Sequence, residues 1–447
     1  MTSLRILTQQ HRGFSIPMHQ HASAMILGKS GILILPWFGQ TTALKKPHLT
    51  KKLNVSRSFF QVQSFSSLVS RGSDAIRKQT AREYNDSRLL LQMDDEPPLG
   101  LRSAAGLRNM SPPPNGYGEG GGEEEQRMLL IDGNAVLYRS YFKIMARVGY
   151  GGLKDMGSEG DWVLTVFTSL LTILRLLEAR PTHIAVVFDY RGLTFRHQIF
   201  RGYKSGRAPT PDTILQALDC IKPAILSMGI TSLEVPGVEA DDVIGALALK
   251  AVAAARTKVR IASPDKDFFQ ILSAQLRILR FAPKGSGIVS FGLEEFAQKF
   301  GSIQPAQYLD VLALMGDKVD SIPGVPGIGE KTALKLVHEF GSVENLLERR
   351  SEVVLKRARE SLMLDEGAIL LSKRLLTLRV DLPAHLLPYN LDDFVCQSPK
   401  DQGENFMNLL QAMSPYIDPS VPQDLEKRVR KIWKTWQVPQ QALETYF

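Results

Sequence analysis

Between residues 126 and 290, short unbroken apolar runs alternate with longer stretches whose apolar positions return every three or four places. A short apolar run bounded by turn-formers is the pattern of a strand buried on both faces, and the three-to-four spacing is that of a helix with a buried side. Met128, Leu129, Leu130 and Ile131 stop at Asp132-Gly133-Asn134, and the run 184–188 stops at Asp189. A third run closes at Val235 before Pro236-Gly237, a fourth covers 259–262 and stops at Ser263-Pro264-Asp265-Lys266-Asp267, and 277–281 reads as one more strand. Helices are predicted through Tyr138, Arg139 and Phe142, over 162–177, over 212–228, and from Ala240 through Val243, Ile244, Ala246, Leu247 and Leu249. Strand, crossover helix, strand is the grammar of an α/β fold with a mostly parallel central sheet flanked by helices. Beyond residue 290 the period is helical: 304–315 is one helix, and a glycine-punctuated turn opens another that runs to Phe340. A basic, Trp-containing helix is expected over 425–436.

The polar positions carry the chemistry. In open α/β sheets ligands bind beyond the carboxyl ends of the strands. Asp132, Asp189 and the pair Asp265 and Asp267 each follow a predicted strand, and Glu239, Asp241 and Asp242 crowd the start of the helix after another. A single strand-end Asp is usually a turn residue or cap, and acidic first turns suit the helix dipole. Acids at almost every strand end exceed that need, and their mutual repulsion calls for a hard cation with oxygen ligands, such as Mg²⁺.

The segment 321–333, SIPGVPGIGEKTA, reads as a helix-hairpin-helix: Gly324, Gly327 and Gly329 allow close backbone approach, and the amides at the next helix start, with Lys331 and Thr332, suit a nucleic-acid phosphate. The stretch 196–207, RHQIFRGYKSGR, is strongly basic with interleaved aromatics, the pattern of a nucleic-acid contact or of a solvated basic loop.

Composition sharpens the picture. The 447 residues allow two or three domains, and the net charge of +8 leans towards a polyanionic partner. Two cysteines, Cys220 and Cys396, fit neither a disulfide framework nor a zinc site, so a reducing compartment and no structural zinc are expected. No apolar run approaches the ~20 residues of a membrane span. Residues 1–73 contain no Asp or Glu, the first acid being Asp74, and are rich in Arg, Lys, Ser and Thr. That is the composition of a mitochondrial or chloroplast transit peptide, with a disordered arm as the plain alternative. A Pro- and Gly-rich linker through residue 122 follows, so folded structure should begin near Gln126.

Taken together, LLIDGNAVLYRSYF, VVFDYRGLTFRHQIFRGYKSGRAPTP, LEVPGVEADDVIGALA, SPDKDFFQIL and LMGDKVDSIPGVPGIGEKTALKLVHEFGSVENLL resemble the 5′-nuclease domain at the N-terminus of bacterial DNA polymerase I, within the flap-endonuclease superfamily. The resemblance covers about 128–392. With the N-terminal segment the chain resembles the standalone organellar 5′-to-3′ exonuclease proteins of plants. It implies a PIN-like or resolvase-like catalytic domain over 126–300 with a helical arch at about 192–212 and a helix-hairpin-helix subdomain over 301–392; beyond Asp392 the resemblance fades, and 393–447 is read as a C-terminal tail whose helix is packed or faces nucleic acid.

It also implies metal ligands at Asp132, Asp189, Glu239, Asp241, Asp242, Asp265, Asp267, Asp317 and Asp320, holding two Mg²⁺ or Mn²⁺ ions, and it allows a monovalent cation at the hairpin. Lys204 and Arg207 of the arch would reach the scissile phosphate, Tyr203 would stack on a base, and Arg196 and Arg201 would contact DNA. Tyr138 and Arg139 would line the same opening. The expected substrates are 5′ flaps, nicked or gapped duplexes and RNA-primed ends, cut by a monomer serving organellar DNA replication or repair. Tyr190-Arg191-Gly192 and the Gly-rich segment 149–160 depart from the family pattern. Residues 440–447 match a sliding-clamp peptide of Gln, aliphatic and two aromatics. A PIN-type ribonuclease and a non-catalytic junction binder are the rival readings.

Overall fold

A computed structural model describes residues 24–28, 31–35, 125–149, 161–254, 257–282 and 287–437. The chain divides into two units, residues 1–58 and 59–447. In the first, β1 (Ala24–Gly28) pairs antiparallel with β2 (Gly31–Leu35). Both strands are apolar in sequence, and the reading of this region as transit peptide and arm did not anticipate their pairing.

The second unit is built on a six-stranded sheet. Its strands are β3 (Gln126–Asp132), β4 (His183–Val187), β5 (Thr231–Leu233), β6 (Thr257–Ala262), β7 (Leu276–Phe281) and β8 (Ile288–Phe291), in the order β5-β4-β3-β6-β7-β8. All neighbours run parallel except β8, which returns antiparallel on β7. β8 was not predicted: its four residues IVSF make too short a signal, and its hydrogen bonds to β7 create it. Alternate residues of β3 feed two cores, Met128 and Leu130 on one face and Leu129 and Ile131 on the other, so the strand had to be apolar throughout.

The helices are α1 (Gly133–Gly149), α2 (Asp161–Leu177), the one-turn α3 (Phe195–Ile199), α4 (Asp212–Ser227), α5 (Ala240–Ala253), α6 (Leu293–Phe300), α7 (Tyr308–Met315), α8 (Glu330–Phe340), α9 (Val343–Glu348), α10 (Lys356–Leu362), α11 (Glu366–Leu376), α12 (Glu404–Met413) and α13 (Ser420–Trp436). The helix predicted over 304–315 is shorter, since Pro305 opens a separate tight turn before α7. α5 and the helices from α6 to α11 share the core on one sheet face, whereas α1, α2, α4, α12 and α13 share the other.

The helices of the segment read as a tail, α12 and α13, pack onto the body. Phe406, Leu410 and Met413 of α12 and Leu425, Val429 and Trp433 of α13 are buried in that second core, and the Trp433 indole N–H donates to the Met228 carbonyl at 2.9 Å. Among the described residues no helix is long and apolar enough to cross a membrane.

Candidate active site

Parallel pairing carries β3, β4 and β6 to one edge, with Asp132 opposite Val187 and Ile131 opposite Ala262. The carboxylates beyond these strands are then wired together. Asn134 donates from Nδ2 to Asp189 at 3.0 Å and accepts the Asp189 amide at 3.2 Å. The Ala240 amide donates to Asp189 Oδ1 at 2.8 Å, pinning the first turn of α5, which carries Asp241, to the end of β4. Asp132 accepts from the Ala135 amide at 2.8 Å and the Ser263 hydroxyl at 2.9 Å, and the Asp265 amide donates to that hydroxyl at 3.2 Å. The Asp267 amide closes the chain of contacts on Asp265 Oδ1 at 2.9 Å. Asn134 and Ser263 were missed as site residues; their signal was to be polar and immediately beyond a predicted strand.

Asp317 and Asp320 come from the loop after α7, where Asp317 and Ile322 exchange backbone hydrogen bonds of 3.0 and 2.7 Å. Asp317 Oδ1 also accepts from the Val319 amide at 2.7 Å.

Burial pushes the Asp132 carboxyl up to about 7, against the bonds from Ala135 and Ser263 and with further push from Asp189 and Asp265. Burial likewise raises Asp241, with Asp265, Asp132, Asp189 and Asp267 adding repulsion. It raises Asp267, with Asp265, Asp317 and Asp320 adding to it, and Asp265, where Asp320 and Asp317 do the same. Asp132, Asp189, Asp241, Asp265, Asp267, Asp317 and Asp320 thus form one mutually repelling group, although they are spread over nearly 190 positions. The donor set, all carboxylate oxygen, fits a hard divalent cation. Among the described residues no three acidic, histidine or cysteine side chains stand ready-made around one point, so an ion would have to draw its ligands in.

Several expected residues serve differently. Asp242 is fully buried: Arg196 donates to its Oδ2 at 2.6 Å and its Oδ1 at 2.8 Å, and the Arg379 amide to its Oδ1 at 2.8 Å. Both its oxygens face partners within the fold, so it is a counter-ion for Arg196 and not a member of the repelling group. Arg196, expected to touch DNA, is itself only 4% exposed. Tyr203 is buried too, its hydroxyl donating to Glu239 at 3.0 Å and Asp320 at 3.2 Å, so its ring has no open face for a base.

Glu239 pairs with Arg196 and Lys204, each at 2.5 Å; burial opposes its charge, but the two cations hold its carboxyl below the ordinary range. Arg207 pairs with Asp320, and the Lys204 amide donates to the Asp320 carbonyl at 2.9 Å. Lys204 adopts a positive φ of 57°. The expected arch is thus the one-turn α3 followed by turns folded down onto the acidic edge, with Arg201 exposed. Tyr138 meets Thr210 hydroxyl to hydroxyl at 3.2 Å, while Arg139 lies 4.6 Å over the Phe281 ring.

Gly324 of the hairpin has a steric cause. A Cβ on Gly324 would lie 2.0 Å from the Met315 carbonyl oxygen, and one on Gly316 (φ +70°) 2.4 Å from the Gly324 amide, so the two turns touch backbone to backbone. Val325 and Ile328 point into the core while Gly324, Gly327, Gly329 and Lys331 are exposed and Thr332 is half-buried. The loop 150–160 and residues 440–447, with the clamp-peptide pattern, lie outside the described residues.

An α/β domain with an acidic strand-end edge, joined to a helical domain bearing a glycine-rich hairpin, defines a class. Residues 127–301 match the profile of the 5′-3′ exonuclease N-terminal resolvase-like domain, and 303–402 that of the 5′-3′ exonuclease C-terminal SAM fold. The two matches together take in more than half of the chain, which belongs to the 5′-3′ exonuclease family.

Among curated relatives, the chain is 38% identical over 261 residues to the thermostable DNA polymerase I of Thermus filiformis, covering 58% of this chain and 29% of that one. It is 40% identical over 261 residues to the thermostable DNA polymerase I of Thermus thermophilus, covering 58% and 30%. The chain thus spans less than a third of the length of these relatives. Among solved structures, the bacteriophage T5 D15 flap endonuclease in a complex with DNA and metal ions is 17% identical, with a TM-score of 0.47, covering 69% of this chain and 100% of that one.

Proposed function

We propose that this chain is a divalent-metal-dependent nuclease that cuts the 5′-ended strand of DNA near the junction of single and double strand, as a 5′-3′ exonuclease and 5′-flap endonuclease. The observation that carries it is the gathering of seven mutually repelling carboxylates at one sheet edge, an arrangement that costs stability unless cations neutralise it. Asp132, Asp189, Glu239 and Asp241 would hold one ion and Asp265, Asp267, Asp317 and Asp320 the other, with Mg²⁺ or Mn²⁺ as the candidates. Such ions, when bound, activate water, neutralise the phosphodiester and stabilise the departing oxygen. The chain's own residues do the rest. The hairpin from Gly324 to Thr332 grips the duplex backbone without reading bases. Lys204 and Arg207, now on Glu239 and Asp320, exchange those carboxylates for the scissile phosphate.

The acid-free N-terminal region supports import into a mitochondrion or chloroplast and hence a role in organellar DNA replication or repair. A nicking assay on a 5′-flap duplex, with and without EDTA, tests the reading. Asp241→Ala and Asp265→Ala should abolish cleavage while flap binding persists. Full cleavage by the Asp241 variant would remove the metal assignment.

A further inference from the structure

Arg196 stands where three parts of the chain meet, and every N–H of its guanidinium is used. Nη1 donates to Glu239 Oε2 at 2.5 Å and to Asp242 Oδ2 at 2.6 Å, and Nη2 to Asp242 Oδ1 at 2.8 Å and the Thr377 carbonyl at 2.9 Å. Nε donates to the Leu375 carbonyl at 2.7 Å. The residue belongs to α3, its carboxylate partners to the start of α5, and its carbonyl partners to the end of α11 in the helical domain. An arginine fork fixes several acceptors in one plane, which the single point charge of a lysine does not.

The two oxygens of Glu239 are consequently unlike. Oε2 is held by Arg196 and by the Tyr203 hydroxyl, whereas Oε1 meets only the Lys204 amine, on a side chain with 19% of its surface exposed.

We propose that Arg196, backed by Asp242, is a positioning residue that locks Oε2 of Glu239 and leaves Oε1 as the oxygen offered to a divalent ion, while tying that carboxylate to the domain that carries the hairpin. The inference rests on the metal-dependent reading of the acidic edge. Asp242 acts here through Arg196 and touches no ion.

The test is Mn²⁺ binding to the full chain without DNA or turnover, followed by the electron-paramagnetic signal of free Mn²⁺. Groups that orient a metal ligand from behind typically change affinity 10- to 100-fold. Arg196→Lys and the near-isosteric Asp242→Asn should therefore each weaken Mn²⁺ binding by about tenfold or more. The double variant should be no worse than the poorer single, because the two act as one unit. Lys373→Met breaks another buried pair, with Asp310 at 2.6 Å. It should lower the melting temperature and leave Mn²⁺ affinity unchanged.

Folded Arg196→Lys protein that holds Mn²⁺ as tightly as the unmodified chain overturns the proposal. So does an equal loss of affinity in Lys373→Met, which would mark the effect as general destabilisation, and so do additive losses in the double variant, which would make Asp242 a direct ligand. Absence of Mn²⁺ binding by the unmodified chain is a separate result, removing the proposed function and this inference together.

Discussion

At Asp132 a carboxyl with an ordinary value of 3.8 is pushed up to about 7, chiefly by burial. Between those two values the folded chain binds more protons there than the unfolded chain does, so stability falls as pH rises through that window. Above about 7 the loss is complete, on the order of a few kcal/mol for a shift of this size. The metal-free protein should accordingly melt at a lower temperature at about pH 8 than at about pH 5, with Asp132→Asn flattening the slope. Saturating Mn²⁺ should restore what is lost, since a ligand of the folded state stabilises it. Thermal melts in EDTA and in Mn²⁺ check both, and a metal-free melting temperature that rises with pH would count against the mutual repulsion. That Asp132, Asp189, Asp265 and Asp267 lie beyond strand ends was readable as residue type and place, a polar side chain directly after an apolar run. Which acid is spent internally was not: Asp241 and Asp242 are neighbours in the same helical turn, and only packing turns Asp242 onto Arg196.

At the scale of elements, the hairpin and α13 behave in opposite ways. The hairpin was legible because glycines at a touching pair of turns, two buried apolar residues and an exposed lysine are all local requirements. Lys331→Ala should weaken DNA binding without abolishing cleavage at saturating substrate, and should lower the slope of log K against log salt by about one. An unchanged slope in a salt titration would mean that Lys331 meets no phosphate. Helix α13 was readable as a packed or nucleic-acid-facing appendage, but what it packs on was not, because its partners lie far away in sequence: the Met228 carbonyl on Trp433, and Glu178 on Arg428 at 3.3 Å. Trp433→Ala should cost about 3–5 kcal/mol, as truncation of a buried aromatic does. Denaturant unfolding measures it, and a cost below about 1 kcal/mol would show α13 to be a loose appendage.

For the whole molecule, the described body beginning at residue 125 and the basic region before it make separate demands. Among the described residues, both hydrophobic cores are built from residues 128 onward. Residues 1–73 carry positive charge with no acid to offset it, the balance that an organellar import pathway reads. Fusing residues 1–125 to a fluorescent reporter should send it to mitochondria or chloroplasts; a reporter that stays dispersed through the cytosol would defeat that address.

The alternation of strands β3 to β7 with α1, α2, α4 and α5, the acidic strand ends and the glycine hairpin were determined by the sequence alone, because each depends on neighbours within a turn or a strand and so leaves a local period or motif. Which charges neutralise one another was decided only by the tertiary structure. Arg196 finds Glu239 43 positions away and the Leu375 carbonyl 179 positions away, and Tyr203 reaches Asp320 across 117. Contacts at such separations follow from how the helical domain packs against the sheet edge, and no spacing in the chain records them.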